Sequence, residues 1–337
     1  MNSGVKSAAG PHPRALSRLY WLMLLVTVCW SGNIIAGKEA LTGFGPLALA
    51  QMRVLSAAVI YAAGFLATRK VSSLRLSPRQ WLSLIAAALS GVAFNQILFI
   101  GGLARSTVAH TGLIVALGPV IVLLIAVLMR MESLTGWKFV GIMISFGGVG
   151  VLTADKTSTG GGTHWVGDLT LLAGTAVFAV YTILMKDLAN QYDSLTLNAL
   201  VFILGAIFML PFCARQAMRT PWGSLGFDAW WGWAFMVLFG TALPYLLFAQ
   251  ALRGLSASRV AAFSYLQPAI ASGLAVWVLS EPLTVKVLVG GALILGGVYL
   301  TERGEESPAY ARVGGSGVAG SSFLDERTGV AGSRSKG

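Results

Sequence analysis

The sequence predicts an all-α polytopic membrane protein: ten transmembrane helices arranged as two inverted five-helix repeats. Three observations carry this reading. Apolar segments recur at about 20 residues, the length that crosses a bilayer. Only 11% of the 337 residues are charged and 55% are hydrophobic, whereas a soluble domain carries about 25% charge. The chain also repeats itself. Helices are placed at 19–37, 46–67, 81–102, 108–129, 137–154, 167–187, 194–214, 229–251, 259–280 and 284–301. They must be helices, because a lone segment in lipid has to satisfy its own backbone groups.

The repeat is legible as a fixed offset. A shift of 149 positions superposes 89–152 on 238–301 with 19 of 64 pairs identical, including Gly91 with Gly240, Pro119 with Pro268, Glu132 with Glu281, and Thr135 with Thr284. Gly147-Gly148 likewise falls on Gly296-Gly297. In the front halves a shift of 148 pairs Lys38-Glu39 with Lys186-Asp187, a charged doublet closing the first helix of each copy. The predicted organisation is an N-terminal segment 1–18, a first repeat 19–154, a linker 155–166, a second repeat 167–301 and a tail 302–337. The Gly, Ser and charged residues of the tail predict disorder. Five helices per copy is odd, so the second copy enters the bilayer from the other face. Inverted repeats of this kind support alternating access around a site near the midplane.

Charge sets orientation and excludes several functions. The net charge is +11, but the basic residues sit in connectors rather than in a patch with interleaved aromatics. That pattern favours anionic lipid headgroups over nucleic acid as the partner. With the N-terminus inside, twelve Lys and Arg precede the tail on the cytoplasmic side and six lie opposite. Both termini are therefore expected in the cytoplasm. Lys6, Arg14 and Arg18 ahead of an apolar run imitate a secretory signal, yet the run reaches Lys38 without a small-residue cleavage pattern and reads as the first helix. Cys29 and Cys213 lie in apolar segments without neighbouring ligand types, so neither a disulfide framework nor a metal site is indicated. His12, His110 and His164 form no catalytic pair, which disfavours a membrane-embedded enzyme, and no phosphate loop or cofactor motif is present.

One set of motifs points to a family. The first helix carries Trp30-Ser31-Gly32-Asn33 followed by Lys38, and Arg53 comes early in the second. Each copy then shows Pro inside its fourth helix, a Glu, and a glycine-rich fifth helix; the second reads ASRVAAFSYLQPAIASGLAVWVLSEPLT. In these features, across 19–301, the chain resembles the EamA-like branch of the drug/metabolite transporter superfamily. The resemblance implies two five-helix repeats and export or exchange of small metabolites, commonly amino acids, across a bacterial inner membrane. Two departures bear on the cargo: Trp-Ser-Gly stands where the family usually has Trp-Gly-Ser, and His110 stands where the second copy has Arg259. Import and drug efflux remain alternatives within transport. A sensor or receptor is disfavoured by the short connectors.

Polar and amphipathic residues inside membrane helices are functional hypotheses by default. Here they are Trp30, Asn33, Asn95, Gln96, His110, Tyr181, Asn198, Tyr245, Gln250, Tyr265 and Gln267. Of these, Trp30, Asn33, Asn95, His110, Tyr181, Tyr245 and Tyr265 are expected to bind substrate, because they fall on the helices the family uses for its central cavity; for each, interhelical packing is the plainer alternative. Pro119 and Pro268 predict kinks and are candidate hinges. Glu132 and Glu281 read as caps of the fifth helices. Gly141 and Gly148, like Gly290 and Gly297, share a helix face and permit close packing, with a homodimer as one use of it. Arg53 and Lys186 either neutralise a substrate carboxylate or, more simply, pair with Glu39 or Asp187 near the surface. Trp222, Trp230, Trp231 and Trp233 read as an aromatic belt. No Asp or Glu falls centrally in a helix, which predicts a facilitator or exchanger, with His110 as the group able to titrate near neutrality.

Overall fold

The structure is a computed structural model that describes residues 13–68, 76–128, 133–154, 164–255, 259–260, 263–280 and 283–303. Lys6, Arg69, Lys70, Arg75, Arg130, Glu132, Lys156 and Glu281 lie outside the described residues, as do most of the linker and nearly all of the tail. Helices account for all ten expected segments, and no strand occurs among the described residues. They are α1 Pro13–Ala40, α2 Pro46–Ala67, α3 Pro78–Leu103, α4 Val108–Leu128, α5 Gly136–Thr153, α6 Trp165–Ala189, α7 Ser194–Arg219, α8 Phe227–Gly254, α9 Phe263–Leu279 and α10 Val285–Arg303. The first eight are long and apolar enough to span a membrane, while α9 and α10 are shorter apolar helices.

Local chemistry sets the helix starts. Ser77 and Gln80 form a reciprocal capping box at α3, with Pro78 in the first turn, where its missing N–H costs nothing. The Asp193 carboxylate accepts from Thr196 N at 3.0 Å to start α7. At the fifth helices of the two copies the caps are threonines: Thr135 Oγ1 accepts from Lys138 N and Thr284 Oγ1 from Val287 N. The prolines do more than kink. In the fourth segment the helix breaks at Ala116–Leu117 and restarts at Gly118-Pro119. In the ninth, a short 3-10 turn over Phe263–Leu266 precedes a helix restarting at Gln267-Pro268. Each proline thus sits in a new first turn, the position that tolerates it.

The repeats interlock rather than sit side by side. Helix α1 packs on α8 and α9 of the other copy, and its counterpart α6 packs on α3 and α4. Helices α2 and α7 pair, as do α5 and α10. Equivalent positions meet one another, which places an approximate two-fold axis through the molecule. Trp30 and Phe178, 148 positions apart, make an edge-to-face contact at 5.7 Å. Gln96 Nε2 donates to the hydroxyl of Tyr245, 149 positions on, at 2.9 Å, and Ser145 Oγ donates to the carbonyl of Ile294, again 149 on, at 3.3 Å.

Gly141 and Gly148 of α5 and Gly290 and Gly297 of α10 pack at this axis. A Cβ on Gly141 would lie 2.5 Å from the Gly297 carbonyl oxygen, and one on Gly148 would lie 2.7 Å from that of Gly290. These faces therefore join the two repeats within one chain, instead of standing free for the homodimer contact that their spacing also allowed.

Candidate functional site: a cavity between the repeats

A partly enclosed cavity of about 840 Å³, its open mouth included, lies between the interlocked groups of helices. Its aromatic wall comes from equivalent helices of both copies. Trp30 of α1 contacts Phe178 of α6 and, at 5.4 Å, Phe248 of α8, and Phe178 lies 5.6 Å from Phe248. Tyr245 completes the group against Trp30 and Phe178. Polar groups are few: Asn33, Asn95, Gln96, Thr175, Thr182, Ser264, Gln267 and a single charged residue, Arg53. A mostly apolar chamber with a few placed polar groups is the usual character of a small-molecule site.

Two π-helical bulges shape the walls, at Ala88–Phe94 in α3 and Leu238–Ala242 in α8, so the irregularity is itself repeated. Such bulges are frequent at functional sites. Each presents a glycine to a side chain from the first helix of one copy. A Cβ on Gly91 would strike the ring of Tyr181, and one on Gly240 would strike the Asn33 amide; Tyr181 and Asn33 are themselves equivalent, 148 positions apart. In α8 the cause of irregularity is Pro244, which has no N–H for the Gly240 carbonyl four residues back. Arg53 Nη2 donates to that carbonyl at 2.9 Å and Arg53 Nε donates to Thr241 Oγ1 at 2.5 Å. The Tyr61 hydroxyl donates to the Ala242 carbonyl at 2.6 Å and lies 3.2 Å from that of Thr241.

A lysine bonds across each end of the helix groups. We call the face where α1 begins the N-terminal face, and the other the opposite face. At the opposite face Lys38 Nζ donates to the Ser106 carbonyl. At the N-terminal face its equivalent Lys186 donates to the carbonyls of Leu252 and Leu255 at 2.5 and 2.7 Å. Because α1 and α6 are exchanged between the copies, each bond spans the cleft between the two helix groups. One face carries an added layer. Ser106 Oγ donates to Asp168 Oδ1 at 2.5 Å, and His110 Nδ1 lies 3.0 Å from Asp168 Oδ2, with the His110 ring and the carboxylate fully buried. The His164 ring packs edge-on to His110 at 5.8 Å. This layer is five to seven residues from the cavity lining along α1, α4 and α6, about 7–10 Å at the helical rise.

Trp30, Asn33, Asn95 and Tyr245 line the cavity, and three expected residues do not. His110 lies in the buried layer at the opposite face, where its half of α4 meets the start of α6. Tyr181 is wholly buried behind the wall, wedged against Gly91 and stacked on Phe178 and Phe248. Tyr265 is partly buried against the apolar cluster that includes α4, α5 and α10. Asp168, placed at a helix end by sequence, is in the first turn of α6 and has no exposure, so it is a buried carboxylate at one end of the helix and not at its centre. Phe178, Phe248 and Phe99 were missed because single apolar residues carry no signal in an apolar chain; the repeat offset, which puts Phe178 opposite Trp30, was the available one. Trp222 and Trp230 pack on Phe44 at the opposite face and Trp233 packs on Trp230, while Trp231 is exposed.

The sequence comparisons decide the family. The EamA-like transporter family model matches twice, over residues 17–154 and 165–303. The chain belongs to the EamA-like transporter family. The double match coincides with the two interlocked units, and with the apolar helices it makes this a multi-pass membrane protein. Among curated relatives, an uncharacterized transporter of Archaeoglobus fulgidus is 27% identical over 286 residues, covering 85% of this chain and 97% of that protein. A probable terminal-alkyne amino-acid exporter of Streptantibioticus cattleyicolor is 26% identical over 290 residues, covering 86% and 94%. A solved crystal structure with 19% identity aligns at a TM-score of 0.60 over 86% of this chain and 99% of that one, and so shares the fold.

Within this EamA-like chain, the buried layer invites a direct test. Removing one partner of a buried hydrogen-bonded pair leaves the other unsatisfied, at about 1–3 kcal/mol. Asp168→Ala is expected to lower the thermal unfolding midpoint of the purified protein well beyond the change in Asp187→Ala, whose side chain is exposed. Equal midpoints would remove the layer's structural role.

Proposed function

We propose that this protein is a secondary transporter that exports or exchanges small organic metabolites, amino acids or related compounds, across the bacterial inner membrane by alternating access, with both termini in the cytoplasm. The observation that carries the reading is the aromatic cavity on the two-fold axis, with one lysine latch on each side of it. Trp30, Asn33, Asn95 and Tyr245 contact the substrate, the aromatic faces taking its apolar part and the amides its polar groups. Alternating access follows from releasing one latch while the other holds, and the broken helices at Pro119 and Pro268 are the hinges. The outward direction rests on the name of the Streptantibioticus cattleyicolor relative and the inner-membrane placement on the lysine and arginine bias.

Untargeted mass spectrometry of the medium tests this. Cells overproducing the intact protein are compared with cells making equal amounts of the Trp30→Ala, Phe178→Ala double variant. A compound enriched several-fold outside only with the intact protein supports export through this cavity. Identical media, with both proteins inserted in the membrane, count against it.

A further inference from the structure

We infer that Arg53 makes the cavity a carboxylate site, whose substrates are organic acids bearing an apolar group. This rests on the transporter reading above and narrows its cargo. Arg53 is 2% exposed, lines the cavity, and is the only charged residue among the described lining residues. Its hydrogen bonds go to a hydroxyl and a carbonyl, both neutral, and its Nη1 has no partner among the described residues. A guanidinium held away from water without a counter-ion is expensive, and inside a membrane protein such a group pairs with an anion or faces a water-filled path.

The fold does not require a positive charge there. Arg53 does satisfy the carbonyl that Pro244 leaves without a donor, but the Ala242 carbonyl of the same bulge is satisfied by the neutral hydroxyl of Tyr61. At the equivalent position of the second copy, 148 residues on, stands Val201, fully buried against the rest of the core. The charge therefore belongs to the cavity and breaks its two-fold symmetry. A carboxylate offers the guanidinium the charge-assisted, often bidentate bonds that neutral acceptors do not.

The surroundings fix the rest of the ligand. A Cβ on Gly240 would meet both the Asn33 amide and Arg53 Nη2, the latter at 3.2 Å, so the amide and guanidinium converge on one point. The Asn33 Oδ1 has no partner among the described residues. Beyond them the wall is Trp30, Phe178, Tyr245 and Phe248, which suits an aromatic or branched apolar group. No acidic residue lines the described cavity, so nothing balances an ammonium group as Arg53 balances a carboxylate.

Ligand-induced thermal stabilisation of the purified full chain tests the inference. The probes are 3-phenylpropionate, 4-methylpentanoate and octanoate, each beside its primary amide and the corresponding amine. In the wild-type protein at least one acid is expected to bind about tenfold more tightly than its amide, with the amine weakest. Arg53→Lys should keep part of that preference and Arg53→Gln should lose it. Because Arg53→Gln can fail to fold, the wild-type comparison stands alone: no acid binding more tightly than its amide overturns the inference. An exported species that carries no carboxylate would also overturn it, while leaving the transporter reading intact.

Discussion

Gly91→Ala is expected to lower folding stability by about 2–3 kcal/mol and to abolish most transport. The added methyl would strike the Tyr181 ring, and that ring cannot step aside. It is fully buried, stacked on Phe248 at 6.3 Å and packed on Phe178 at 5.3 Å. Overpacking a filled core costs this much because side chains leave their rotamers or the backbone shifts. Here the displaced rings form the cavity wall, so the strain is delivered to the substrate site. Gly240→Ala is the informative companion. There the methyl would meet the Asn33 amide, the end of a short side chain with no hydrogen bond at its Oδ1, so folding should suffer less than binding. Combining Gly91→Ala with Tyr181→Ala should cost clearly less than the sum of the two single losses. Strict additivity in that double-mutant cycle, read by chemical or thermal unfolding, would show that the two residues do not meet.

Opposite changes in accessibility are expected from Lys38→Met and Lys186→Met. The two lysines are equivalent in sequence and bond at opposite faces, each spanning the cleft between helix groups. Losing Lys38 should favour the state open to the opposite face, and losing Lys186 the state open to the N-terminal face. A charge-assisted hydrogen bond contributes about 1.5–3 kcal/mol, enough to shift a two-state population about tenfold or more. The readout is alkylation of a Ser264→Cys cavity residue, in a chain with Cys29 and Cys213 replaced by Ala, by an impermeant maleimide added from one side of oriented vesicles. Lys38→Met should raise labelling from the opposite face and lower it from the N-terminal face; Lys186→Met should do the reverse. Changes of the same sign in both variants would show that the lysines are not paired latches.

Much of this was legible in the sequence, and the repeat made it so. The offset that pairs Lys38 with Lys186 also pairs Trp30 with Phe178 and Asn33 with Tyr181, and these pairs are where the copies meet or perform the same task. Helix segments follow from apolar length, so their type and approximate places were readable, while the third helix starts at Pro78 rather than at 81 because the Ser77 cap decides it. His110 and Asp168 were not legible as a pair. They are 58 residues apart, on helices that touch only because α6 is exchanged into the first copy. Arg53 was legible as a membrane-embedded charge, but surface pairing with Glu39 seemed simpler because a linear reading cannot tell a helix face that meets lipid from one that meets a cavity. The glycine stripes of α5 and α10 fit a dimer or an internal contact equally well by spacing, and only packing separates the two.

The central claim is that one cavity between the repeats is reached in turn from both faces. The most direct measurement is the labelling of Ser264→Cys in the otherwise unaltered, cysteine-free chain, with the same impermeant maleimide supplied first from one face and then from the other. The account predicts modification from both faces, with a probe that binds in the cavity protecting against each. Modification from the N-terminal face alone, even in the Lys38→Met variant, would contradict it.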